Sequence, residues 1–310
     1  MLRNRSLVVF LAFTLSGCGL TPIQKQQVVQ FATATESVSM TTQDQFKSTR
    51  DKVIELERRR LIMRKEAPPE SLDLDGGLSA SGIAAQIGTL KALQSYGDIL
   101  NKLASNDQGE AIAKAATNFM TQFEAAEKIQ DPSYSLDEGK KNAILGVVDI
   151  GGSWFVESEK KKHIKTIVNA YSKDVNHLAE LLRNDLTLVE DSLCLSESER
   201  RARVGKVGVI DIYCTSTDAL SEVSSDVLKE KKYPFVEREF AYNSFVLAQQ
   251  AKDEVKILSS EGGKVVSKLI TANEQLQKVI EIDHYTSDDI RAFARQVDDL
   301  ETHIKVLSGK

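Results

Sequence analysis

Apolar residues recur at alternating steps of three and four through most of this chain, a spacing that places them on one side of an α-helix. One seam of this kind runs from Ile164 to Leu182, and another runs from Val266 to Ile280 with a polar Asn273 in its middle. The clearest seam comprises Ile290, Phe293, Val297, Leu300, Ile304 and Leu307. The pattern predicts antiparallel helices that pack through narrow seams, with Asn273 able to fix the register of one pair.

Composition favours the same class, since five prolines and 6% aromatic residues in 310 are typical of helices rather than sheets. We predict an all-α fold, an elongated antiparallel helical bundle or coiled coil. One helix is expected from Ile164 up to Cys194 and another from Phe235 to Leu258, with Gly262-Gly263 separating the latter from the next helix.

The segment from Gln24 to Arg64 contains neither Gly nor Pro and predicts one long helix on the order of 60 Å in length. Two interpretations remain open: a stalk, or a helix that lies against a bundle. The apolar residues available for the second are Phe31, Val38, Phe46, Val53 and Leu56. We predict a long N-terminal helix within residues 18–66, a linker at 67–79 that includes Pro68-Pro69, and a bundle domain at 80–310.

The first eighteen residues form a separate unit, with Arg3 and Arg5 at the start, then an apolar run, then Leu15-Ser16-Gly17-Cys18. This arrangement is typical of an export signal and is too short for a permanent transmembrane helix. Leu-Ser-Gly-Cys resembles the lipobox of bacterial lipoproteins. That resemblance implies cleavage of the signal peptide at 1–17 and a diacylglyceryl group on Cys18, usually with an acyl chain on its new amino group. Two or three chains anchor stably, because each buried CH₂ contributes about 0.8 kcal/mol.

The same resemblance gives an expected location. An Asp directly after the cysteine often retains such proteins at the inner membrane, and here the residue is Gly19. We expect an outer-membrane anchor if the source has two membranes, with the body in the periplasm or at the cell surface. Loss of Arg3 and Arg5 reduces 40 basic residues to 38 against 45 acidic ones, a formal charge of −7. That balance argues against a nucleic-acid partner.

Cys194 and Cys214 remain after lipidation of Cys18, and an even pair in an exported chain predicts a disulfide. Closing a loop of this size contributes roughly 3 kcal/mol in the chain-entropy model. The bond would close an irregular or extended insertion at 195–214, in which the β-branched run from Val207 to Tyr213 favours a strand. Two separate buried thiols are the alternative.

The segment from Ala143 to Val156 is apolar and glycine-rich and contains the only tryptophan. It is expected to be buried among helices. As an alternative it would enter a membrane or contact a partner through Val148, Trp154 and Phe155, as in a membrane-active helical protein.

No catalytic motif organises the four histidines. His163 and His177 are fourteen positions apart on one predicted helix, about 21 Å, and therefore cannot share a metal. Solvated or capping histidines and a solvated Lys160-Lys-Lys162 run are expected, and we predict no metal and no cofactor beyond the lipid.

The sequence therefore predicts a non-catalytic, lipid-anchored envelope protein that binds or scaffolds an envelope protein partner. An enzyme with a composite site, formed by histidines and carboxylates from several helices, is a further alternative.

Overall fold

Eight helices make up the chain over the residues that the structure describes. The computed structural model describes residues 19–65, 78–105, 109–148, 157–188, 194, 207–230 and 232–307. The helices are α1 (Pro22–Arg64), α2 (Ala80–Ser105), α3 (Gly109–Gln130), α4 (Glu138–Val148), α5 (Glu157–Leu186), α6 (Val209–Lys229), α7 (Phe235–Glu281) and α8 (Asp288–Leu307). This confirms the all-α bundle.

Helices α1 and α7 pair antiparallel along nearly their whole lengths. At one end Gln24 of α1 bonds to the last turn of α7, and at the other Lys65, just after α1, lies 3.7 Å from Glu237 near the start of α7. A helix of 47 residues is about 70 Å long, so this pair sets the length of the described bundle. We call the end at Gln24 the base and the end at Lys65 the tip.

The other helices cover this pair in two sections. Near the base, Phe293 of α8 packs on Phe31 of α1 with ring centroids 5.9 Å apart. Toward the tip, the Ser224 hydroxyl of α6 lies 3.7 Å from the Met63 sulfur of α1. Helices α2 and α5 flank the lower part, and α3 and α4 lie outside them.

The long N-terminal helix is part of the bundle, and the stalk interpretation is wrong. Residues of α1 belong to the same hydrophobic core as residues of the other helices, and Phe31, Val38, Phe46 and Val53 are fully buried. Of the predicted linker at 67–79, residues 67–77 lie outside the described residues.

The predicted C-terminal seam is confirmed, and Asn273 has the role its position indicated. Its side chain is fully buried, and its Nδ2 donates to the Ser172 carbonyl at 3.0 Å and to Asn176 Oδ1 at 2.8 Å, both on α5. A buried amide with partners on a neighbouring helix favours one register over its alternatives, because a shift would leave it unpaired.

Three local predictions are wrong. The helix expected to reach Cys194 ends at Leu186, and the strand expected from Val207 is instead the start of α6 at Val209. Val209, Ile210 and Tyr213 are buried, so packing against the core overrides their β preference.

Gly262-Gly263 does not divide α7, which is the third error. A Cβ on Gly262 would lie 2.9 Å from the Leu186 Cβ of α5. The glycine permits close approach of two helices there, and the helix continues through it.

Gly97 of α2 marks the closest approach to α1. A Cβ there would lie 2.7 Å from the Ala32 carbonyl oxygen, whereas a Cβ on Gly146 of α4 would lie 3.7 Å from its nearest neighbour, a carbon of His163. We expect Gly97→Ala to lower the free energy of unfolding by about 1–3 kcal/mol, because overpacking exceeds the gain in helix propensity. Gly146→Ala, the matched control, should be neutral or stabilising by up to about 1 kcal/mol. Urea unfolding of both variants measures this, and equal effects would contradict it.

Candidate functional site

The base fixes the start of the described chain firmly to the bundle. Thr21 caps α1: its hydroxyl accepts from the Gln24 N–H at 3.2 Å, and the Gln24 side-chain oxygen accepts from the Thr21 N–H at 3.0 Å. The Thr21 hydroxyl also donates to the Asp283 carbonyl in the α7–α8 turn, at 3.0 Å. This reciprocal cap satisfies two donors at the helix start and joins it to a distant part of the chain.

Buried amides of α1 complete the attachment. Gln24 Nε2 donates to the Val279 and Ile280 carbonyls, both at 2.9 Å, in the last turn of α7, where carbonyls lack partners within the helix. One turn further along α1, Gln27 Oε1 accepts from the Ser287 N–H at 3.0 Å, just before α8 begins. The chain start, the end of α7 and the start of α8 are therefore held together by hydrogen bonds.

Cys18, the predicted lipidation site, lies outside the described residues and directly before Gly19. Only Gly19 and Leu20 separate it from the capped Thr21, and Leu20 packs against the core. Three residue steps span at most about 11 Å. A group attached to Cys18 would therefore be confined to the neighbourhood of the base.

The base presents both apolar and cationic side chains. Ile23 and Ile282 are exposed. Lys161 and Lys165 of α5 form ion pairs across to the α7–α8 turn and the end of α7, with Asp283 at 2.8 Å and Glu281 at 3.2 Å respectively. These pairs also fix the start of α5 at this end.

The sequence predicted a solvated face for the lysine run at the start of α5, but the three lysines differ in exposure. Lys160 is fully buried, Lys161 is partly buried in its pair with Asp283, and Lys162 is exposed. A helix turns by about 100° per residue, so neighbours in sequence face different surroundings.

The first part of the apolar glycine-rich segment belongs to the core. Ala143, Ile144 and Val147 of α4 are buried, and Val148 packs partly buried against them. Trp154 and Phe155 lie outside the described residues. A membrane or partner contact by segment 143–156, through Val148, Trp154 and Phe155, stays a prediction.

The histidines do not come together at a common site. His163 is buried, so its expected exposure is wrong; its Nε2 lies 3.7 Å from Glu159, and burial lowers its pKa. His177 lies near Glu127. Burial raises the pKa of Glu127, although the nearby histidine has the opposite effect. Within the described residues, no three His, Cys, Asp or Glu side chains group as metal ligands would.

A polar cleft of about 440 Å³ opens between α1, α2 and α3 and contains neither histidine. Its lining residues are Glu36, Lys91, Gln94, Ser95, Asp98, Asn118 and Gln122. Burial raises the pKa of Glu36, whose Oε1 accepts from Asn101 Nδ2 at 3.2 Å. The amides and carboxylates offer hydrogen bonds, but this lining pairs no nucleophile with a base as acyl or phosphoryl transfer needs.

A buried ionic network in the middle of the molecule was not predicted. Glu254 of α7 accepts from Lys52 Nζ at 2.5 and 2.6 Å, from Tyr213 Oη at 2.9 Å and from Gln45 Nε2 at 3.4 Å. It thus joins α1, α6 and α7. Burial, and after it the neighbouring Glu254 carboxylate, raise the pKa of Tyr213. The only signal for such a network in the sequence is a carboxylate on an apolar helical seam. That signal does not indicate which side chains bind the carboxylate.

The predicted disulfide is confirmed next to this network. Cys194 and Cys214 are bonded with their Cα atoms 5.1 Å apart. Cys214 follows Tyr213 in α6, so the bond ties the first turns of α6 to the chain that follows α5. The intervening residues 195–206 lie outside the described part.

Comparison with protein-family models, with curated proteins and with solved structures finds no match for this chain. Among the helices described above, none combines the length and apolar character needed to cross a bilayer.

Lys52→Met should test the network, because it leaves the Glu254 charge buried with weaker compensation. We expect the free energy of unfolding to fall by about 2–3 kcal/mol. Lys252→Met is the matched control: Lys252 is exposed to the same extent as Lys52, 37% against 36%, but its partner Asp218 is 42% exposed where Glu254 is 9% exposed. The control should cost less than about 1 kcal/mol. Equal losses in chemical denaturation would refute the network's role.

Asp185, near the end of α5, should make stability depend on pH. It accepts from Gln86 Nε2 at 3.0 Å and from the Val209 N–H, yet burial raises its pKa to about 7. The folded protein therefore holds a proton that the unfolded chain releases near pH 4, and the free energy of unfolding falls as pH rises from about 4 to 7. The loss should be on the order of 2–4 kcal/mol.

Asp185→Asn removes this titration while keeping an acceptor for both donors. Urea unfolding at pH 5 and pH 8 should show a smaller decrease for the variant than for the parent. An unchanged difference between the two pH values would assign the pH dependence to other groups.

Proposed function

We propose that this protein is a lipid-anchored component of a bacterial cell envelope that acts by binding or scaffolding and has no catalytic activity. Lipid on Cys18 would hold the base at a membrane, and the helical body would present its surfaces to an envelope protein partner. The observation that carries the proposal is the attachment of the chain start, since Thr21 and Gln24 are bonded to the end of α7 only three and six residues after Cys18.

This attachment gives the anchor a direction. A lipid at the end of a long tether would leave the body free to rotate and to move away from the surface. With about 11 Å of chain between Cys18 and the cap, the base would stay at the membrane. The exposed Ile23 and Ile282 then lie where the interface between lipid and water accepts apolar side chains.

The pairing of α1 with α7 would set how far the body extends. The long axis of the bundle begins at the anchored base, and α7 has about 70 Å from end to end. Gly19 after the lipidated cysteine favours the outer membrane of a two-membrane cell, with the tip in the periplasm or outside the cell. This geometry suits a protein that holds a partner at a set distance from the membrane.

Cys18→Ser tests the anchor. The parent chain should carry a covalent lipid mass on its N-terminal residue and sediment with membranes. Loss of Cys18 also removes the lipobox cleavage site, so the variant is exported on an ordinary cleavable secretory signal; it should carry no lipid and leave the membrane fraction. Circular dichroism and thermal unfolding should agree between the variant and the delipidated parent, because Cys18 precedes the capped helix. A parent without lipid mass, or a variant that remains in washed membranes, would contradict the proposal. Gly19→Asp serves as the control for location and should keep the lipid while shifting the protein toward the inner membrane.

A further inference from the structure

The polar cleft runs along α2, between walls formed by α1 and α3. Helices α2 and α3 pack side by side, with the ring centroids of Tyr96 and Phe119 lying 5.7 Å apart. On the other wall, Gln43 of α1 donates to the side-chain oxygen of Gln94 at 3.1 Å. The volume of about 440 Å³ lies within the range of small-molecule sites, about 300–1,000 Å³. A lining of charged and amide side chains suits a ligand that is held by charge and hydrogen bonds.

The charged side chains of the cleft are separated along its axis. Lys91 and Asp98 line the cleft seven residues apart on α2, which puts them on one side of the helix and about 10 Å apart along it. Glu36 of α1 is level with Asp98, because a Cβ on the adjacent Gly97 would lie 2.8 Å from the Glu36 Cγ. One end of the cleft therefore carries two carboxylates, and the other end carries an ammonium group.

The carboxylate end favours an added positive charge. Burial raises the pKa of Glu36, the hydrogen bond from Asn101 opposes that rise, and the charge of Asp98 adds to it. Asp98 lies 3.7 Å from Lys102, a partly exposed pair of the kind that contributes little to stability. A cation placed between Glu36 and Asp98 would relieve the repulsion between them and gain hydrogen bonds to charged acceptors.

The middle of the cleft offers amide groups, and its far end offers a free ammonium. The side-chain oxygen of Gln94 is occupied by Gln43, but its amino group has no acceptor within the described residues. In the same part of the chain the amides of Asn118 and Gln122 make no hydrogen bond, and Lys91 forms no ion pair. A primary amide both donates and accepts, which matches the N–H and C=O of a peptide group.

We propose that the cleft binds a short zwitterionic peptide of about three residues, with its N-terminal ammonium at Glu36 and Asp98 and its C-terminal carboxylate at Lys91. An extended peptide rises about 3.3 Å per residue, so three residues span the distance of roughly 10 Å between the two charged ends. The peptide groups between the termini would lie beside the amides of Gln94 and Gln122.

Other classes of small ligand fit this charge pattern less well. A polyamine would satisfy the carboxylates but would place a like charge beside Lys91. A phosphate or another anion would meet two carboxylates at Glu36 and Asp98. Like charges brought together oppose binding, so only a ligand with both charges uses both ends.

This inference goes beyond the proposed anchoring function and does not rest on it. Glu36 lies fourteen residues after the start of α1, about 21 Å from the base along the helix. The experiment uses the full chain as it is purified, and its expected result is the same with or without lipid on Cys18. Failure of peptide binding and failure of the anchor are therefore separate results.

The probe is tri-alanine, measured by isothermal titration calorimetry beside three ligands that each lack one feature. N-acetyl-tri-alanine lacks the ammonium, tri-alanine amide lacks the carboxylate, and free alanine lacks the length. We expect submillimolar binding of tri-alanine that weakens at higher salt. Each of the other three ligands should bind more weakly by about tenfold or more, because one charged end of the cleft then has no partner.

Two variants assign the termini of the peptide to the two ends of the cleft. Lys91→Met should weaken tri-alanine binding by about tenfold but leave the already weak binding of tri-alanine amide unchanged. Asp98→Asn should weaken tri-alanine binding to a similar extent but leave that of N-acetyl-tri-alanine unchanged. Both side chains reach solvent, so the variants should keep the circular dichroism of the parent.

Each variant has a matched control outside the cleft. Lys173→Met replaces a lysine of α5 that is exposed like Lys91 and, within the described residues, also forms no ion pair. Asp253→Asn replaces a carboxylate of α7 that lies 3.8 Å from Lys256, much as Asp98 lies 3.7 Å from Lys102. Both controls should leave tri-alanine binding unchanged.

Several outcomes would overturn the proposal. They are equal binding of tri-alanine and its capped forms, no binding of tri-alanine at millimolar concentration, or binding that neither Lys91→Met nor Asp98→Asn changes. Binding of spermidine that requires Asp98 and persists in Lys91→Met, without binding of tri-alanine, would assign the cleft to polycations instead.

Discussion

The antiparallel pairing of α1 with α7 is the constraint on which the rest of the structure depends. Buried polar contacts fix its register at two levels: Gln24 with the carbonyls of Val279 and Ile280, and Lys52 with Glu254. A shift of one helix by a turn would move these groups about 5.4 Å apart and leave buried polar atoms unpaired. Seams of Val, Leu and Ala alone tolerate several registers, so the polar groups select one.

Over the described residues, more helices cover this pair near the base than near the tip. Packing of α2, α7 and α8 on the lower part of α1 buries that helix on most sides, which explains why its threonines at 35, 42 and 49 are buried despite their polarity. Helix α5 packs beside them on α7 and α2. Toward the tip only part of the surface of α7 is needed for packing on α1 and α6, and its outer side is left to solvent. The exposure of Phe235, Tyr242 and Val246 on α7 therefore follows from how the helices are distributed along the pair.

The sequence predicts the helices better than it predicts their ends and their polar contacts. A seam of three and four spacing identifies α8 and the lower part of α7, because burial imposes that period directly. The start of α6 is missed, because Val207 to Tyr213 carry a local preference for strand that packing on a distant helix overrides. Gly262 is misread for a similar reason, since the neighbour that requires a glycine there, Leu186, is 76 positions away in sequence.

The candidate anchor site is likewise predicted in its local motif and missed in its long-range contacts. The anchor is predicted from local sequence alone, by Leu15-Ser16-Gly17-Cys18. A linear motif can be recognised by an enzyme without being part of a folded structure. The meaning of that anchor depends on Thr21 and Gln24, whose partners near residue 280 no local pattern indicates. A flexible tether would let a partner at the tip sample a distance that grows only with the square root of its length. A capped helix joined to the base gives instead one fixed distance of about 70 Å, so under the proposed function the bundle itself determines where a bound partner is held.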